Sequence, residues 1–137
     1  MLYETNWLAI VLALIASIVL GMLWYGPLFG KKWMKLQGYS QKQINNAKMK
    51  EMTSVYIIMT ISSLLTVYIF GFLMSLVGTI GVIGGVMLGF WVWLGFIATY
   101  STGSVLWEGK PWELWFLNNS YQFIIFLLVG AILGYFG

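Results

Sequence analysis

Four stretches of the chain are almost free of charge: about residues 6–25, 53–76, 80–101 and 112–135. Apolar residues run right round each of them at helical spacing instead of keeping to one stripe, the pattern of a helix whose outer face meets no water. Twenty residues rising about 1.5 Å each cover about 30 Å, the thickness of a bilayer's hydrocarbon. The pattern predicts an all-α integral membrane protein, a four-transmembrane-helix bundle that occupies 1–137 as a single transmembrane domain. The one long polar stretch, 31–52, falls between the first and second spans. Val77-Gly78-Thr79 makes a short turn between the second and third.

The connections carry their own signals. Gly26-Pro27 should stop the first helix, because Pro has no N–H to give the preceding turn. Ser40 and Gln43 have the spacing of a capping box, which predicts a short basic helix from near Gln41 that runs into the second span. Pro111 suits the start of the fourth helix, and Glu113 puts a negative charge in its first turn, where the helix dipole favours it. The leader Met1–Thr5 contains Glu4 and no Lys, so the first span reads as a retained helix and not a cleaved signal.

Composition sharpens this. The chain is 61% hydrophobic and 8% charged, too few charges to clothe a soluble domain of this size. It has no Cys, His, Asp or Arg. That leaves out thiolate and imidazole chemistry and the usual zinc and haem ligands, so the sequence predicts no cofactor, no metal and no enzymatic activity. All seven Lys fall in the segments 26–52 and 102–112, which four spans put on one side. The positive-inside rule then places those loops in the cytoplasm and both termini outside, in an inner cell membrane. A lysine cluster beside a membrane helix points to anionic headgroups and not to nucleic acid, with Lys31, Lys32 and Lys35 as the nearest contacts. Trp24, Tyr25, Phe29 and Trp33 fit an aromatic belt at that boundary, whereas Trp91 and Trp93 sit mid-span.

Each span has small or polar residues at helical spacing. In the first they are Asn6, Ala9, Ala13 and Ser17; in the second Thr53, Tyr56, Thr60, Ser63 and Gly71. In the third they are Gly78, Gly81, Gly85, Gly95, Thr99 and Gly103. Gly81, Gly85 and Gly89 stand four apart, a seam along which another helix can come close. Two readings stand open for it: packing within one bundle, or contact between copies in a homo-oligomer. In the fourth span Asn118, Asn119 and Gln122 lie within an arc of roughly 100°. Together with Thr60 and Ser63 they either bond helices to one another or line a polar cavity. Glu108, Lys110 and Glu113 gather at the cytoplasmic edge, as helix caps and a surface pair or as the mouth of such a cavity.

Finally, the runs Asn6-Trp7-Leu8-Ala9 and Gly21-Met22-Leu23-Trp24-Tyr25-Gly26-Pro27-Leu28-Phe29-Gly30-Lys31-Lys32-Trp33-Met34 resemble the opening of an uncharacterised bacterial membrane family, domain of unknown function 1761. Gly95-Phe96-Ile97-Ala98-Thr99, Glu108-Gly109-Lys110 and Asn118-Asn119-Ser120-Tyr121 are similar to its second half. The resemblance implies a stand-alone four-span protein and brings no reaction, ligand or cofactor. The residues favour a structural, lipid-contacting or partner-binding bundle; the alternative is a small-solute transporter or channel formed by a homo-oligomer.

Overall fold

The computed structural model describes residues 6–38, 42 and 53–136. Among them the chain is helical, with no strand. The first helix, α1, spans Trp7–Leu28, and a short α2 follows at Gly30–Gln37. The long helices α3, Thr53–Val77, α4, Gly81–Leu106, and α5, Trp112–Phe136, complete the bundle. All four long helices have the length and apolar composition to cross a membrane. The expected capping-box helix from Gln41 falls almost wholly outside the described residues.

The outer surface is apolar, unlike that of a soluble protein. Ile58 is 63% exposed, Ile83 76% and Phe96 74%, while the buried set includes the polar Ser17 and Asn119. Large apolar groups facing outward round every span are what a hydrocarbon solvent calls for. This is a four-span helical membrane protein.

α5 is the axis. α1 and α4 both pack along it, whereas α3 packs mainly on α1 and reaches α5 through Phe70 against Phe126, ring centroids 5.9 Å apart. Val67, Phe70, Gly71 and Met74 bury the second half of α3; every residue from Thr53 to Ser62 is exposed.

The seam of α4 faces α5. A Cβ at Gly85 would land on the carbonyl oxygen of Gly130, one at Gly89 on that of Phe126, and one at Gly134 on that of Gly81. The two backbones touch, which only glycines allow, and such close approach gains dispersion and Cα–H···O contacts. At Gly85 and Gly89 the stripe is covered by the chain's own last helix, whereas a Cβ at Gly81 would meet nothing within 4 Å.

Two helices depart from regular winding. Residues Trp24–Leu28 form a π-helical turn in which Phe29 N–H bonds to Trp24 O at 2.9 Å and Gly26 leaves helical geometry. Gly26-Pro27 therefore interrupts the first helix within a turn of Tyr25, as expected, and the widened turn carries the chain on to Leu28. The missing Pro27 N–H is absorbed by widening the turn. Gly30 starts α2 because a Cβ there would meet Tyr25 O at 2.7 Å. In α4, Trp93–Ala98 is also π-helical, and the helix continues in two short turns to Leu106, past the expected end at Ser101. A π turn adds a residue and rotates everything after it by about 100°. Gly95 consequently leaves the face of Gly81 and Gly85: it is exposed and a Cβ there would meet nothing within 4 Å. Trp91, 60% exposed, and Trp93, which turns inward, stand about 200° apart on the helix, two residues at ordinary winding.

Gly85→Ala is expected to destabilise the bundle by about 3 kcal/mol, the scale of overpacking a tight contact. Gly95→Ala should leave stability unchanged or raise it by up to about 1 kcal/mol through helix propensity. Unfolding of both variants in micelles, measured against the parent, checks the contrast.

Candidate functional site: the amide-bonded axis

The functional candidates on α5 follow from its position between α1 and α4. On the α1 side, Tyr25 O–H donates to Asn118 Oδ1 at 2.8 Å and Trp24 Nε1–H donates to Leu117 O at 3.2 Å. On the α4 side, Ser101 O–H donates to Asn119 Oδ1 at 2.9 Å and Trp93 Nε1–H donates to Asn119 O at 2.9 Å. Each flank thus supplies one hydroxyl to an amide and one indole to a backbone carbonyl. Both indoles belong to the first residue of a π turn, Trp24 and Trp93. The irregular winding and the tryptophan contact occur together on each side.

Asn119 is fully engaged: its Nδ2 also donates to Trp115 O at 2.9 Å, and the residue is only 3% exposed. One turn further along α5, Tyr121 O–H reaches Ser17 O at 3.4 Å, and Gly21 makes room for that ring, since a Cβ there would lie 2.7 Å from the Tyr121 hydroxyl. Trp24, Tyr25 and Tyr121 stack into one cluster, with Tyr25 edge-on to Tyr121 at 5.1 Å and Trp24 tilted against it at 6.1 Å. Hydrocarbon provides no competing partner for polar groups, so these bonds join α1 and α4 to α5, each at the modest strength typical of interhelical bonds in membranes.

The five residues read as one polar group do not come together. Asn118 and Asn119 are bonded to opposite neighbours. Thr60 is exposed on α3 and donates to its own Tyr56 O at 2.8 Å. Ser63 is half-buried, and neither residue bonds an α5 amide. Gln122 is half-buried and makes no hydrogen bond with any described residue. Among the described residues the one fully enclosed side-chain polar atom lacking a partner is Trp115 Nε1.

At the lysine-bearing end, Lys110 does not pair with Glu108. Its Nζ donates to Gln37 O at 3.2 Å, capping α2, whose end is closed by Gly38 at φ 81°. Glu113 sits in the first turn of α5, 3.9 Å from Lys32, both well exposed; such a pair contributes little. Glu108 is exposed. On α2, Lys31, Lys32 and Lys35 face outward while Trp33, Met34 and Leu36 are half-buried. At the other end Asn6 caps α1 through Ala9 N–H and donates to Phe136 O at 2.7 Å, joining the start of the first span to the end of the last. No group of three carboxylates, His or Cys that could hold a metal occurs among the described residues.

Sequence reasoning singled out the amides and missed their partners. Trp24 and Tyr25 read from the sequence as belt residues and Trp93 as a mid-span residue of the interior or the lipid face; their bonds to α5 join residues far apart in the chain, which local spacing does not mark.

The arrangement defines a four-span membrane bundle held by interhelical hydrogen bonds along its last helix. Residues 8–134 match the family described as "Protein of unknown function (DUF1761)", and the chain belongs to that family. No curated protein and no solved structure matches it.

The Tyr25–Asn118 bond supports a specific expectation. Asn118→Leu should cost about 1–3 kcal/mol by orphaning the Tyr25 hydroxyl, and Tyr25→Phe in the same chain should recover about 1 kcal/mol of that. A double-mutant cycle on reversible unfolding in micelles measures the coupling; strictly additive losses would contradict the bond.

Proposed function

We propose that this protein is a non-catalytic anchor of the inner cell membrane, with its lysine-bearing end in the cytoplasm, both termini outside, and anionic lipid headgroups as its contact there. One observation carries the reading. α2 is a short amphipathic helix fastened to the end of the bundle by Lys110, with Trp33, Met34 and Leu36 turned inward and Lys31, Lys32 and Lys35 turned out. A helix with that division lies at an interface and offers ammonium groups at headgroup depth. The lysine asymmetry supports the orientation, because loops rich in Lys stay on the cytoplasmic side. The commitment of Asn118 and Asn119 to Tyr25 and Ser101 supports a bonded interior over a solute route.

Two measurements test it. In nanodiscs, replacing part of the phosphatidylcholine with phosphatidylglycerol should raise the thermal stability of the protein. Lys31→Gln with Lys35→Gln should remove about 2 kcal/mol of that preference, at about 1 kcal/mol for each lysine near the surface. Equal protection by the two lipids would overturn the headgroup reading. For the orientation, Lys35→Cys should react with an impermeant thiol reagent only in opened cells and Ile80→Cys in intact ones; the reverse pattern would invert the topology.

A further inference from the structure

We propose that a groove between α3, α4 and α5 is a binding site for the end of a phospholipid acyl chain, which completes the packing of α3 in the bundle. Thr66, Ile69 and Leu73 line it from α3 and Val92 from α4, with Phe70 and Phe126 between them, and its volume is about 340 Å³. The two phenylalanines are buried and make its floor, whereas Thr66 and Ile69 are exposed. Thr66, Val92 and Phe126 stand about 16 Å along their helices from Val77, Gly81 and Phe136, so the groove lies near the middle of the bilayer. α3 packs mainly on α1 and meets α5 at Phe70, which leaves its α4 side open.

Size, polarity and depth select the occupant. One turn of a helix about 10 Å across fills about 420 Å³, so the groove is too small to seat a helix of a second copy. Thr66 carries the one side-chain polar atom of the lining, and its hydroxyl already donates to Ser62 O at 3.0 Å. A water there would lack the polar partners that hold a buried water. Headgroups lie about 15 Å away on either side. What remains at that depth is hydrocarbon chain, which is thin, flexible and apolar. No hydrophobic force drives it in, because the chain leaves surroundings like those it enters. Dispersion holds it: a segment lying on Phe70 and Phe126 makes contacts that an empty groove forfeits. The chain thereby joins α3 to α4 across the gap. The inference depends on the membrane placement and not on the headgroup contact of α2, so the two fail separately.

Native mass spectrometry of protein released from micelles doped with phosphatidylcholine tests the site. The parent should retain a bound lipid, and Lys31→Gln with Lys35→Gln should retain as much. Thr66→Phe, which fills the groove, should lower the affinity about tenfold. Ile58→Phe, exposed on another side of α3, should not. A phosphatidylcholine whose chains stop halfway to mid-depth should be held by the parent as poorly as the full-length lipid is by Thr66→Phe. The inference is overturned if Thr66→Phe retains the lipid like the parent, or if short chains are held as well as long ones. The protein has no Cys, so Thr66→Cys introduces a single one. Its modification in membranes by an impermeant reagent, or its ready oxidation to a linked dimer, would equally overturn the inference, since water or a second copy would then be the occupant. Should Thr66→Phe fail to fold, the chain-length contrast decides alone.

Discussion

Between Gly81–Gly89 and Phe126–Gly134 the backbones of α4 and α5 are in contact, with Gly85, Gly89, Gly130 and Gly134 each seated against a carbonyl of the other helix. In a bilayer no hydrophobic force drives helices together, so association depends on what close packing and interhelical bonds supply. Here close packing comes first, because every other contact of α4 follows from its height and rotation against α5. Trp93 reaches Asn119 O and Ser101 reaches Asn119 Oδ1 only because the seam fixes α4 in register. Replacing one of these glycines would shift the helix as a whole, and the bonds beyond it would lengthen together.

The two π turns convert that register into specificity. Each begins at a tryptophan whose indole N–H donates to a carbonyl of α5, and each rotates the remainder of its helix. In α1 the device also ends the span: past Gly26 the chain turns into α2, which Lys110 holds from the opposite loop. The lysine-bearing end is therefore a consequence of how α1 is wound, as well as of where lysines stand in the sequence.

Much of this could be read from residue order alone. The spans were legible because their lengths and charge-free composition leave few alternatives; the second and fourth end within a residue of the expected limits. The α4 seam was legible as spacing, though nothing in the spacing says which helix covers it. What remained hidden depends on backbone register. A π turn is one extra residue in a helix, with no compositional mark in Trp93–Ala98, and it sent Gly95 and Thr99 outward after a face that pointed in. Asn118 and Asn119 differ by about 100° on the helix, enough to reach different neighbours, so grouping them as one polar patch merged two separate contacts.

The central place of α5 also bears on biosynthesis. Ribosomes make the chain from its N-terminal side, so α1, α3 and α4 enter the membrane before the helix that α1 and α4 pack against exists. Until Trp112–Phe136 emerges, Tyr25, Ser101 and both indoles have no α5 carbonyl or amide to bond, and the α4 glycines face lipid. Assembly of this bundle is thus coupled to completion of its synthesis: a chain stalled before α5 can pack α3 on α1, but α4 is left without the helix it rests on.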